Sequence, residues 1–207
     1  ACFAYREKMQ RKKPNIVAVD TVHPAFDKAC HYLGIELRKT TSYYPSGKIS
    51  LGDMEGLINH NTILLVASAP SYPHGTLDPI HDIAKLAKGY EIGCHIDACL
   101  GGFLLCFLSD NAGVSFTTPG VTSISMDTHK YGYAPKGTSL LLYRSKELMQ
   151  HQYFVQPNWS GGIYGTALAS GSRSGLLVAF TWATLMYYGK EKNHFRNRNI
   201  SLEVTFC

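Results

Sequence analysis

The run Thr62-Ile63-Leu64-Leu65-Val66-Ala67-Ser68 has no alternation of polar and apolar positions. That pattern predicts a strand buried on both faces of a parallel sheet. Shorter apolar runs predict further strands at residues 15–20, 35–40, 92–97, 121–126 and 139–143. Helical spacing separates them. Residues 1–12 read as the end of an amphipathic helix, and residues 25–33 form a helix entered at Pro24 and left at Gly34. A short helix is expected at 53–59, and another at 80–90 with Asp78 as its N-cap and Pro79 at its first position. Residues 156–175, rich in Gly and Ser, read as a loop before a closing helix at 176–188. Strands separated by helices give an α/β fold with a parallel or mixed sheet and helices on both faces. In such sheets ligands bind beyond the carboxyl ends of the strands. There Ser68 follows one strand, Asp97 ends a second, and His129-Lys130 follow a third.

The 207 residues, 45% hydrophobic and 17% charged, suit one ordered α/β domain with a substantial core. The net charge of +5 is mild and its basic residues are mostly dispersed, which fits a solvated surface or an anionic small molecule and no nucleic acid. Six cysteines, at 2, 30, 94, 99, 106 and 207, include no C-x-x-C pair. Cys94, Cys99 and Cys106 lie in apolar text and read as small buried thiols of a reducing compartment. Residues 103–108 are apolar but too few to span a bilayer. The chain opens on Ala1, in what reads as mid-helix, which leaves room for an upstream anchor.

Lys130 stands behind a histidine at the end of an apolar strand, in Asp127-Thr128-His129-Lys130-Tyr131-Gly132-Tyr133. Asp97 stands at the end of His95-Ile96-Asp97. Pyridoxal phosphate (PLP) chemistry needs this pair: an amine to hold the aldehyde as a Schiff base, and a carboxylate to keep the pyridine nitrogen protonated. Taken singly, Asp97 reads as a turn cap and Lys130 as a surface charge; the bulky His129, Tyr131 and Tyr133 offer shelter that would ease loss of the lysine's proton. His23, between a strand and a helix, either stacks on an aromatic ring or caps the helix. Ser68, Tyr72 and His74 sit on a turn within reach of a cofactor or substrate. The segment Ser170-Gly171-Ser172-Arg173-Ser174-Gly175 joins hydroxyls, free amides and a guanidinium ahead of a helix, a combination suited to phosphate and equally to an ordinary helix entry. His74, His95, His129 and Cys94 match no common metal-ligand spacing, so no metal is expected.

These stretches resemble the sphingosine-1-phosphate lyase family, within the PLP-dependent group II decarboxylases of fold type I. The resemblance is carried by residues 95–103, 120–125, 127–137, 161–164 and 171–173, and upstream by 25–29 and 70–75, so that it spans roughly residues 1–188. It implies a three-layer fold-type I large domain with a mostly parallel sheet. It implies PLP bound to Lys130, with Asp97 at the pyridinium nitrogen, His23 stacked on the ring and His129 near the cofactor phosphate. The loop bearing Ser172 and Arg173 would reach a phosphate in a partner subunit's site, since the family works as a homodimer. The implied reaction is retro-aldol cleavage of a phosphorylated sphingoid base to a fatty aldehyde and phosphoethanolamine, with Lys130, or less readily Tyr72, transferring protons.

Against the family pattern, residues 1–189 correspond to part of the large domain, and residues 190–207 form a divergent tail. An amino-terminal phosphate-binding segment, any membrane helix and the small carboxy-terminal domain lie outside the chain. Eukaryotic members sit on the cytosolic face of the endoplasmic reticulum membrane, and bacterial members can be cytoplasmic. Two other readings share the residues: an amino acid decarboxylase of the same fold, and a non-catalytic remnant that pairs with an intact subunit.

Overall fold

The computed structural model describes residues 1–43, 48–106 and 112–204, with the backbone alone at 43, 48 and 190–204. In chain order its elements are α1 (Cys2–Met9), β1 (Asn15–Val19), α2 (Ala25–Leu33), β2 (Glu36–Thr40), the two-residue β3 (Ser42–Tyr43) and β4 (Lys48–Ile49), α3 (Leu51–Gly56), β5 (Thr62–Ser68) and α4 (Ile80–Gly89). Then follow β6 (Gly93–Asp97), α5 (Gly102–Leu105), β7 (Ser123–Met126), β8 (Leu140–Tyr143), α6 (Lys146–Gln150), β9 (Phe154–Trp159), β10 (Gly162–Thr166) and α7 (Gly175–Val204), the last broken at Gly189.

Six strands form one sheet in the order β2-β1-β5-β6-β7-β8. All its pairings are parallel except β7 with β8. Successive side chains of a strand point to opposite faces, and here both faces are covered. Val17, Val19, Leu65, Ala67 and Ile96 pack with Met54 of α3 and Ile83, Ala84 and Ala87 of α4. Ile16, Ala18, Leu64 and Val66 pack on the other face with Tyr5 of α1, Phe26 and Cys30 of α2 and Leu148 of α6. This is the expected three-layer arrangement. Ile63, Leu64 and Leu65 have no exposed surface, and each such burial stabilises the fold by about 1.5–3 kcal/mol.

The helix at 25–33 lies where its punctuation placed it, entered at Pro24 and closed by Gly34 in the left-handed region, φ 63°. Three local expectations need correction. The short helix starts at Leu51, before 53, because the Ser50 side chain accepts the Asp53 N–H and so fixes an earlier cap. Asp78 does not cap α4: Pro79 holds that position without a side-chain bond, and the Asp78 carboxylate instead accepts the Ser68 N–H at 2.7 Å. The segment 156–175 is not all loop, since β9 and β10 pair as an antiparallel hairpin. Among the described residues no helix is long and apolar enough to cross a membrane, and Cys2, Cys30, Cys94, Cys99 and Cys106 are free thiols. A fourth expectation also fails: Cys106, read as buried, is exposed, because it lies just past the end of the short α5. Cys207 lies outside the described residues.

Candidate active site

The carboxyl ends of β5, β6 and β7 lie side by side, with Ser68 level with Asp97 and Asp97 level with Ser125. Backbone bonds continue past the strand ends: Ala69 N–H to Asp97 O (2.8 Å), Ala98 N–H to Ser125 O (3.0 Å) and Asp127 N–H to Cys99 O (3.2 Å). These bonds hold the three turns in register. The turns after β5 and β6 are so close that a Cβ on Gly101 would fall 2.3 Å from the Ala69 carbonyl oxygen, so only glycine fits.

A cavity of about 860 Å³ opens beside these ends. Its wall includes Lys130, Asp97, His23, Ser68, Tyr72 and Arg173, six of the residues singled out from sequence. Among the described residues, His129 and Ser172 are not on that wall. The His129 ring instead turns to the Thr138 carbonyl, 3.0 Å from Nδ1. Arg173, expected at a partner's site, stands on the cavity of its own chain and donates to Ser170 Oγ (3.1 Å) and Gly137 O (3.3 Å). His23 lines the cavity, and its Nδ1 accepts the Ala25 N–H at the start of α2 at 3.1 Å, as the helix-capping reading of this residue expected. Tyr72 is 80% exposed and its hydroxyl is open to an incoming molecule.

Lys130 Nζ lies 3.0 Å from Asp127 Oδ2, a partner that the sequence reading did not single out. Asp127 is half-buried, and burial pushes its acid strength the wrong way. The Ser139 hydroxyl (2.6 Å) and the Lys130 and His129 charges outweigh that and hold the carboxyl below its usual value. The loop carrying the lysine is cross-braced: Thr128 Oγ1 lies 2.9 Å from Thr138 O, and Thr138 Oγ1 lies 2.8 Å from Thr181 Oγ1 of α7. Asp97 Oδ1 accepts from the Cys99 N–H (3.1 Å) and the Ser125 hydroxyl (3.2 Å), and among the described residues no cation pairs with its carboxylate.

Sequence reasoning weighed His95 only as a metal ligand and passed over Ser123 and Ser125. A signal was present: His95 with Asp97, and Ser123 with Ser125, are polar at period two in adjacent buried strands, and so share one face. Burial holds the His95 imidazole far below its ordinary titration range, and therefore neutral.

The donor set fits the group that sequence suggested. An amine and a carboxylate with no cation beside it face one cavity large enough for a drug-sized ligand, with an imidazole and a guanidinium on the same wall. Residues 3–172 match the pyridoxal-dependent decarboxylase conserved domain, and the chain belongs to that family. Within it, the chain is similar to sphingosine-1-phosphate lyases. It is 50% identical to that of Dictyostelium discoideum over 197 residues, covering 92% of this chain and 37% of the relative. The structure of the Burkholderia pseudomallei sphingosine-1-phosphate lyase superposes with a TM-score of 0.91 at 38% identity, covering 95% of this chain and 47% of that one. Lactobacillus brevis glutamate decarboxylase, at 20% identity and a TM-score of 0.81, shares the fold. The chain spans little more than a third of the length of the Dictyostelium relative.

Proposed function

We propose that this chain forms the cofactor-binding part of a PLP-dependent carbon–carbon lyase that cleaves phosphorylated sphingoid bases to a fatty aldehyde and phosphoethanolamine. The observation that carries the reading is the presence of Lys130 and Asp97 on one cavity wall at the ends of adjoining strands. The preference for this substrate class rests on similarity to the lyases, set against a far lower identity to glutamate decarboxylase.

PLP, when bound, supplies an aldehyde to take up an amine and a protonated ring to accept the electrons of a breaking bond. Lys130 would hold that aldehyde, Asp97 would hold the ring nitrogen's proton, and His23 would stack on the ring. Asp127, kept ionised, anchors the Lys130 ammonium at 3.0 Å and gives it a place to return to after a proton transfer. Lys130 is then the group that moves a proton at the substrate, and Tyr72 faces the same space. Arg173 and Ser170, tied together at 3.1 Å, offer a cation and a hydroxyl to a phosphate. A second copy of the chain suits the apolar side chains that α7 leaves exposed, Leu176, Val178, Phe180 and Trp182 among them.

The test is a product assay with phosphorylated sphingoid base, glutamate and aromatic amino acids offered separately to protein loaded with PLP. Fatty aldehyde from the first, lost in Lys130→Ala together with the long-wavelength absorption of bound PLP, is the expected result. Carbon dioxide without aldehyde would overturn the lyase reading, and failure to bind PLP at all would overturn the whole assignment.

A further inference from the structure

Behind Asp97 runs a buried line of hydrogen bonds reaching from one layer of the fold to the cavity. Tyr5 Oη of α1 lies 2.7 Å from Thr122 Oγ1 and 2.7 Å from Ser123 Oγ. Ser123 Oγ lies 2.7 Å from His95 Nδ1, His95 Nε2 lies 3.2 Å from Ser125 Oγ, and the Ser125 hydroxyl donates to Asp97 Oδ1 at 3.2 Å. Tyr5 and His95 are 2% exposed and Ser123 has no exposed surface, so no water competes for these groups.

Each hydroxyl has one hydrogen and a neutral imidazole has one N–H, so between Ser123 and Asp97 the line admits only two polarities. A carboxylate accepts and never donates. Ser125 therefore spends its hydrogen on Asp97, and the contact to His95 must use a hydrogen on Nε2. Nδ1 is then an acceptor and takes the Ser123 hydrogen. Beyond Ser123 the Tyr5 hydroxyl has two acceptors in reach, Ser123 Oγ and Thr122 Oγ1, and Thr122 donates its own hydrogen to the Cys94 carbonyl at 2.9 Å. From Ser123 onward every donor points toward Asp97. The opposite polarity is self-consistent only with a proton on Asp97 and the imidazole hydrogen on Nδ1. The tautomer of His95 thus reports the charge of a carboxylate two residues away.

We propose that His95 is a positioning residue for Asp97: as the Nε2–H tautomer it orients the Ser125 hydroxyl onto the carboxylate and keeps that carboxylate aimed at a cationic ligand group. Aligned hydrogen-bond dipoles reinforce one another in a low-dielectric interior, and all of these end on one negative charge. Cys99 Sγ, 3.3 Å from Ser125 Oγ, adds a weak donor in the same direction, and burial holds it as a thiol. Phe26, with its ring centroid 5.8 Å from that of His95, closes the other side of the imidazole. The role rests on the reading of Asp97 as the partner of a ring nitrogen in PLP.

The experiment has two arms. Protein carrying ¹⁵N-labelled histidine, with His95 assigned by its absence in His95→Gln, should give the nitrogen shifts of a neutral Nε2–H imidazole at neutral pH. A protonated ring, or hydrogen on Nδ1, overturns the proposal, and this arm needs no cofactor. In the second arm PLP binding is titrated. His95→Leu and Ser125→Ala should each weaken it about tenfold, as loss of one hydrogen bond to a charged group does. The double variant should be no worse than either single one, because both cut the same link. His95→Gln, whose amide nitrogen stands where Nε2 stood, should restore most of the loss. Additive losses, or no rescue by Gln, overturn the positioning role. If Asp97→Asn leaves PLP binding unchanged, it is the role of Asp97 that fails, and the tautomer measurement still decides the polarity of the line.

Discussion

Asp78 gives a test of how the strand ends are held. Its side chain is buried at 5% exposure, and its carboxylate accepts the Ser68 N–H at 2.7 Å while its own N–H returns a bond to Ser68 O at 3.1 Å. Burial pushes its pKa from the usual 3.8 up to about 6; the Ser68 bond opposes the rise and the nearby Asp20 charge adds to it. A rise of roughly two pH units corresponds to about 3 kcal/mol of stability lost on ionising the group in the folded protein. The sign follows from proton binding: the folded state holds this proton more tightly than the unfolded chain. The stabilising contribution is therefore complete below pH 3.8, declines as pH rises through about 6, and is absent above it. Asp78→Asn removes the buried charge and keeps an acceptor for Ser68. It forgoes a charge-assisted bond, which carries about 1 kcal/mol beyond a neutral one. The variant should be more stable at pH 7.5 by about 1–2 kcal/mol, with the advantage shrinking toward pH 4.5. Urea denaturation at a series of pH values, at matched protein and PLP concentrations, measures this. A variant that is less stable by the same amount at every pH would show that the charge is compensated in the folded state, and would refute the reasoning.

Gly101→Ala should destabilise by at least ~2 kcal/mol, since the added carbon meets the Ala69 carbonyl oxygen at 2.3 Å and the backbone must move. The turn after Asp97 shifts with it, so PLP binding should weaken in the same variant, read by denaturation and by titration. Burial pushes the Cys94 thiol up to about 12 and raises Cys99 as well, which leaves on the order of one Cys94 in 10⁴ as thiolate at pH 8. Iodoacetamide should therefore modify the exposed Cys106 before either, as peptide mass spectrometry will show; early labelling of Cys94 would mean that the sheet opens more readily than its burial implies.

Sequence carried most of the sheet and two of the site's anchors, for reasons that differ residue by residue. The strand at 62–68 was legible because an unbroken apolar run has one stable solution in an α/β protein. Likewise α2 was legible because Pro24 and Gly34 act locally. Asp78 misled because a helix N-cap and a backbone N–H ten residues back compete for one carboxylate, and only the folded chain brings Ser68 near. The β9–β10 hairpin was invisible because its residues are all but wholly exposed and its ladder, Tyr164 opposite Gln156 and Gly165 opposite Val155, leaves no apolar pattern. Lys130 and Asp97 declared themselves by standing at strand ends. Asp127, three residues before the lysine, could be read equally as a solvated charge until the turn folded it back to 3.0 Å.

The antiparallel return of the chain from β7 into β8 has a mechanical consequence. A lysine at a strand-to-helix junction is tied to the sheet on one side and rides on a helix at the other. Here residues 127–139 form a bracket hung from two adjoining strands, pinned across its legs by Asp127 to Ser139 and by Thr128 to Thr138. The backbone beneath Lys130 has little travel of its own. Whatever excursion the amine makes during a reaction must come from rotation about its own methylene stem, so the reach of one side chain sets the stroke of the site.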